Sequence, residues 1–233
     1  MTEPMKYGQT EFEVHLPPEL IAAELESNQV DLPQRTTAEH IRWALDHPID
    51  SAPLKELVKA GDKVCVIISD VTRRWQAPDT YIPILIAELE SAGVRDEDIL
   101  ILSATGTHRR QTEEEHIGLV TKPVYDRIRV EDHVCTDQDN LAYVGTTSRG
   151  TPVWLDKRAL ACDKIILTGG VVYHFMAGFG GGRKSILPGI AGRETIMKNH
   201  NLALNPGIGS GSNPNVRSAN MNAANPVHAD MME

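Results

Sequence analysis

Three short apolar runs set the limits on what this chain can become: KVCVIIS (63–69), DILILSA (98–104) and DKIILTG (163–169). Each is almost unbroken, where a half-exposed strand would alternate apolar with polar residues. Unbroken runs of this length belong to strands covered on both faces, the condition of a parallel sheet lying between helices. Between the first two lies PDTYIPILIAELESAG (78–93), with apolar residues at helical spacing. Asp79 is placed as its cap and Gly93 just past its end, so 63–104 reads as a βαβ unit. The expected fold is α/β, a mostly parallel, Rossmann-like sheet with flanking helices. The 233 residues suffice for one such domain, or for one domain and part of another.

Other segments supply flanking elements. EFEVHL (11–16) alternates and predicts an edge strand, and TTAEHIRWALDH (36–47) has helical spacing after a threonine cap. TEEE from Thr112 places Glu115 where a capping box needs it. Weaker strands over 127–155 predict a hairpin through Ser148, Arg149 and Gly150. Residues 1–200 are taken as one α/β domain. Beyond it the composition changes: 201–233 holds seven asparagines, with glycines and prolines and no sustained apolar period. That stretch reads either as a polar loop or linker, or as a segment leading toward a further domain that is missing from the chain.

No apolar run approaches the length of a membrane span, and the start MTEPMKYGQTEFEV lacks the layout of a secretory signal. A cytoplasmic protein with no membrane partner is expected. Cys65, Cys135 and Cys162 are an odd, scattered set and read as reduced core residues. A net charge of −9 argues against a nucleic-acid partner and makes any basic cluster informative.

Ligands of open parallel sheets bind at the carboxyl ends of the strands. Asp70, Thr72, Arg73 and Arg74 follow the first run, Gly106, His108, Arg109 and Arg110 the second, and Tyr173, His174 and a glycine loop the third. Arg73, Arg74, Arg109, Arg110, Arg183 and Lys184 together predict a positive field that suits an anionic ligand. Arg109 and Arg110 are read first as solvated loop charges, with a ligand role as the alternative. Arg73, in a tight turn after Asp70 and Thr72, is placed to grip a carboxylate or phosphate with two prongs. His108 alone would read as a hydrogen-bonded loop histidine, but two histidines at neighbouring strand ends point to paired acid/base work. His15, His40, His47, His116, His133 and His228 lack such company and are read as structural or exposed.

The glycine loop HFMAGFGGGRKSILPG (174–189) resembles a phosphate loop without matching one. A P-loop has glycine immediately before its lysine, and here that place is Arg183. Gly180, Gly181 and Gly182 would let backbone approach a phosphate-bearing ligand closely. His200 closes a predicted helix, GRETIMKNH, with no HxxxH, HExxH or CxxC companion, so any metal there would take most of its ligands from a cofactor.

In order and spacing, DVTR (70–73), GTH (106–108), YHFMAGFGGGRKSILPGI (173–190) and KNH (198–200) resemble the N-terminal part of the nickel-pincer-dependent lactate racemase family. The resemblance covers most of residues 60–205. It implies that 1–200 is a cofactor-binding catalytic domain and that the family's second domain is missing from this chain. It further implies a pyridinium-3,5-bisthiocarboxylic acid mononucleotide-type pincer that holds nickel and is covalently attached at Lys184, with His200 as the protein's nickel ligand. His108 and His174 are implied as the two acid/bases and Arg73 as the substrate-carboxylate residue, while Asp70 and Thr72 help hold the mononucleotide or position Arg73. The implied partners are a small 2-hydroxy acid substrate and the enzymes of cofactor biosynthesis.

The implied reaction is racemisation or epimerisation of a 2-hydroxy acid by reversible hydride transfer to the cofactor. Histidine suits the proton transfers because its ordinary pKa lies near neutrality. Nickel in a pincer with one imidazole suits a square-planar arrangement. One departure bears on substrate: Arg74 and Trp75 follow Arg73 where the family has proline, so a bulkier or more acidic acid than lactate comes into view. The competing readings are a phosphate- or nucleotide-binding module or phosphotransferase, and an inactive fragment of the racemase.

Overall fold

The computed structural model describes residues 2–8, 10–26, 28, 30–205, 213–216 and 224–233. The chain divides into two units, Met1–Arg35 and Thr36–Glu233. In the first, β1 (Thr2–Tyr7) and β2 (Thr10–His15) pair antiparallel. The alternating stretch thus forms a strand, as expected, but in a two-stranded sheet of its own.

The second unit begins with α1 (Thr37–Asp46), capped by Thr36, whose hydroxyl accepts from Glu39 N at 3.3 Å while the Glu39 carboxylate accepts from Thr36 N at 2.7 Å. A short α2 (Leu54–Leu57) leads into β3 (Val64–Ser69), α3 (Pro78–Ser91) and β4 (Ile99–Ala104). Next come α4 (Glu113–Val120), α5 (Lys122–Tyr125), β5 (Arg129–Asp132), β6 (Leu141–Thr146), β7 (Pro152–Asp156), α6 (Lys157–Leu160) and β8 (Lys164–Leu167). The unit ends with the small strands β9 (Tyr173–His174) and β10 (Gly178–Phe179), then α7 (Arg193–Asn201) and α8 (Pro226–Met232). The main sheet has the order β5-β4-β3-β8 and every pairing is parallel. The chain is therefore α/β, with helices on the faces of a parallel sheet.

Residue parity along β3 shows why its run is unbroken. Val64, Val66 and Ile68 enter one core with Ile82, Ile86 and Leu89 of α3 and Leu119 of α4. Cys65 and Ile67 enter a second core on the opposite face, with Leu100 and Leu102 of β4, Ala159 and Ile190. Successive side chains of a strand point to opposite faces, so a strand packed on both sides requires apolar residues at every position.

One detail differs from the sequence reading. Asp79 lies in the first turn of α3 rather than at its cap; the cap is Ala77, in a left-handed conformation at φ 53°, with Pro78 opening the helix. Proline suits that position because its missing N–H has no helical partner there, and Asp79 complements the helix dipole one residue further in. Of the segment 201–233, residues 206–212 and 217–223 lie outside the described residues, but α8 belongs to the same unit as the sheet. The buried Asp230 carboxylate ties α8 to its neighbours. It accepts from Thr147 Oγ1 at 2.6 Å, from Thr151 Oγ1 at 2.9 Å and from Asn199 Nδ2 at 2.9 Å. The hairpin of β6 and β7 turns through Ser148, Arg149 and Gly150 as expected, with Thr147 N donating to Thr151 O at 3.0 Å. Among the described residues no helix is long and apolar enough to cross a membrane.

Ile67 has no exposed surface. Ile67→Ala should lower stability by about 2–5 kcal/mol, read from urea unfolding, because the gap between β4, α6 and Ile190 cannot close.

Candidate active site

A cavity of about 580 Å3 opens where the carboxyl ends of β3, β4 and β8 meet the glycine loop and the last turn of α7. Asp70, Arg73, His108, His174, Lys184 and His200 all line it. Gly180 and Gly181 line it as well, whereas Thr72 and Gly182 are not among its lining residues.

The turn after β3 is organised by Asp70, which is buried. Its Oδ1 accepts from Thr72 N at 3.0 Å and from Thr72 Oγ1 at 2.5 Å, capping the 3-10 turn Val71–Gln76. Thr72 Oγ1 in turn accepts from Arg73 Nη1 at 3.0 Å. The other carboxylate oxygen faces His108 Nδ1 from the turn after β4. Gln111 joins the same two turns. Its Oε1 accepts from Val71 N at 2.6 Å, and its Nε2 donates to Ser103 Oγ and Asp132 Oδ1, each at 2.9 Å. Asp132 is held below the usual carboxylate range by His116 and Gln111, against the opposing effect of burial. Gln111 was invisible in the sequence because a lone loop glutamine belongs to no motif.

The glycine loop folds close to the end of β8. Gly180 N donates to Val172 O at 2.8 Å, and a Cβ on Gly180 or Gly181 would stand 3.3 or 3.2 Å from Gly170 O. Gly181 also has φ +73°, a conformation that other residues rarely adopt. At Gly189 an added Cβ would stand 2.1 Å from Ser185 O and 2.8 Å from Ala104 Cβ, and Gly106 N donates to Gly189 O at 2.9 Å. The glycines are therefore needed for backbone-to-backbone packing.

This fold brings Lys184 Nζ to 2.8 Å from His174 Nε2. His174 Nδ1 accepts from Met176 N at 3.4 Å and Ala177 N at 3.2 Å. A neutral imidazole has one lone pair and one N–H, so its proton sits on Nε2 and points at Lys184, which must then accept as a neutral amine. The electrostatics favour that neutral form, which predominates above about pH 8. Burial first, then Arg183 and Arg73, bring the Lys184 ammonium down from 10.5 to about 8. Burial first, then Lys184, His200 and Arg73, bring His174 down from 6.5 to about 4. His200 is likewise lowered by burial and then by Lys184, against the Ile196 backbone, which raises it; its buried Nδ1 meets no partner at full hydrogen-bond geometry among the described residues. Gln76, another lining residue, keeps a buried Oε1 in the same condition.

The positive field is narrower than the sequence implied. Arg109 forms a two-pronged pair with Glu115 at 2.8 and 2.6 Å, and Arg74 packs over Gly118 of α4. Arg183 donates to the carbonyls of Ala177 and Phe179, bracing the glycine loop, and Arg110 acts on Asp137. Arg73 and Lys184 are the two of the six that line the cavity. Trp75 lines it too, with its ring edge 3.0 Å from where a Cβ on Gly170 would stand. Among the described residues no three His, Cys, Asp or Glu side chains converge to hold a metal ion.

The family described as "Lactate racemase N-terminal domain" matches residues 7–211. The chain belongs to the lactate racemase N-terminal domain family. It is 37% identical over 195 residues to the lactate racemase of Lactiplantibacillus plantarum, covering 83% of this chain and 44% of that protein. It is 31% identical over 229 residues to the lactate racemase of Thermoanaerobacterium thermosaccharolyticum, covering 97% of this chain and 51% of that protein. The structure of the lactate racemase apoprotein from T. thermosaccharolyticum superimposes with a TM-score of 0.79 over 100% of this chain and 52% of its own. A Thermotoga maritima protein, 22% identical with a TM-score of 0.62 over 84% of this chain and 46% of its own, shares the fold. The chain thus spans about half the length of the relatives it matches.

The lowered ammonium gives a pH test. Only the neutral amine is nucleophilic, so acylation of Lys184 in the apoprotein should reach half its plateau near pH 8, against 10.5 for an ordinary lysine. Peptide-resolved mass spectrometry reads this; half-labelling only near 10.5 would show an ordinary charged lysine.

Proposed function

We propose that this chain is the cofactor-binding catalytic domain of a 2-hydroxy acid racemase or epimerase. The observation that carries the reading is the convergence in one cavity of two histidines, an arginine, a lysine and the α7 histidine, drawn from residues 73 to 200. Relatives named lactate racemase support it.

The residues fit a covalently held nickel-pincer pyridinium mononucleotide. Lys184 offers an amine of lowered pKa for attachment, and His200 offers a buried imidazole at the cavity wall. A single imidazole beside three pincer donors matches nickel's preference for a tetragonal donor set. Gly180 and Gly181 provide a bare backbone wall, with Gly182, Asp70 and Thr72 shaping the loops behind it. When bound, the group supplies a hydride acceptor and donor for C2 of the substrate.

The protein's part is to orient the substrate and move the hydroxyl proton. Arg73 holds the carboxylate, fixed by its bond to Thr72. One histidine of the pair His108 and His174 takes the hydroxyl proton of one enantiomer, and the other delivers a proton to the oxygen of its mirror image. His174 stays neutral down to about pH 4, and its Nε2–H, directed into the cavity, is the proton it has to deliver. Because Arg74 packs over α4 while Trp75 lines the cavity, an acidic substituent at C2 has no added cation to meet. Lactate, or a larger acid with an apolar substituent, is the substrate class that fits. The partners in this reading are that acid and the enzymes that build the cofactor, in the cytoplasm.

When the protein is produced with cofactor biosynthesis enzymes and nickel, intact mass and a peptide map should show Lys184 modified, with stoichiometric nickel. An unmodified Lys184 and no nickel would refute the assignment. In the loaded enzyme, His108→Ala and His174→Ala should each reduce interconversion by at least about 10²-fold, whereas Arg73→Ala should raise KM as well.

A further inference from the structure

We propose that Asp70 is a positioning residue for His108: it holds the imidazole proton on Nδ1, keeps Nε2 free as the proton acceptor, and ties this base to the carboxylate-binding Arg73. The proposal rests on the reading of His108 as an acid/base. It departs from a cofactor-holding role for Asp70, because both carboxylate oxygens are already engaged within the protein.

The Asp70 side chain is 5% exposed, whereas that of His108 is 48% exposed. One carboxylate oxygen takes two donors from Thr72, and the other faces His108 Nδ1. A carboxylate only accepts, so the hydrogen between them belongs to Nδ1 and the lone pair of His108 lies on Nε2. When Nε2 takes the substrate's hydroxyl proton, the O–H bond breaks, an N–H bond forms, and the resulting imidazolium keeps its Nδ1–H on the carboxylate. That is the role of a buried aspartate behind a catalytic histidine on unrelated folds. His108 N also donates to Thr105 O at 2.9 Å, which fixes the turn from which the ring projects.

The same carboxylate orders the substrate side. Thr72 Oγ1 gives its hydrogen to Asp70 and accepts from Arg73, so the sequence Arg73–Thr72–Asp70–His108 is one continuous relay of hydrogen bonds. Gln111 adds a second tie by accepting from Val71 N. Among the described residues no carboxylate is hydrogen-bonded to His174. Its Nδ1 accepts from Met176 N and Ala177 N, which places its proton on Nε2. The two histidines therefore rest in opposite tautomers, and Asp70 is the cause on the His108 side.

Asp70→Asn tests this with little change of shape. Thr72 presents two donors to Oδ1, so the amide oxygen stays there and the amide N–H turns to His108, which must then move its proton to Nε2. Nitrogen-15 NMR of the histidine rings in the apoprotein should show His108 protonated on Nδ1 in the native chain and on Nε2 in the variant. In the loaded enzyme the variant should lose about 10³-fold in kcat with KM changed by only a few-fold. A His108 that keeps its proton on Nδ1 in Asp70→Asn, or an unchanged kcat, would overturn the proposal. Full activity in His108→Ala would instead remove the underlying base assignment, and the tautomer measurement keeps the two failures apart.

Discussion

Parallel pairing of β3 with both β4 and β8, under apolar cover on both faces, is the constraint from which the rest of this structure follows. Parallel strands all end at the same edge, so the turns after residues 69, 104 and 167 are delivered to one place whatever their sequences. The two cores on opposite faces of β3 hold that edge still. Groups as far apart in the chain as Asp70 and His200 can then share a cavity without any contact between their own segments being designed for it.

What accumulates at the edge is positive charge with little to balance it. Lys184, His174 and His200 are each held below their ordinary values, by burial first and then by the cations around them. Asp70, a buried carboxylate that lines the same cavity, is committed to Thr72 and His108. An anionic ligand relieves this imbalance. The same imbalance favours the neutral amine of Lys184 and the neutral imidazole of His174, the forms that attachment chemistry and proton transfer use.

Local features were legible because their causes are local. The threonine cap at Thr36, the capping box of Thr112 and the turn at Ser148 to Gly150 each depend on residues within a few positions, and all were readable. Asp79 was misplaced as a cap because the preceding 3-10 turn ends in a left-handed Ala77, which no pattern of residue types announces. The cation field was overstated for a similar reason. Counting arginines after strands does not show that Arg74 packs over Gly118 or that Arg183 spends its donors on loop carbonyls. Gln111 and Gln76 escaped notice because an amide side chain acquires a role only from what stands beside it.

The sequence by itself determined the fold class, through apolar runs that only a doubly covered strand can use, and it determined the family, through the order and spacing of four short motifs. Tertiary structure alone decided the states of the reacting groups. Which nitrogen of His108 or His174 carries the proton depends on a carboxylate 38 residues away in one case and on two backbone N–H groups in the other. Whether Lys184 is charged depends on burial and on the closeness of Arg183 and Arg73. Proton positions respond to neighbours within hydrogen-bonding distance in space, and residue order does not encode those distances until the sheet has gathered its turns to one edge.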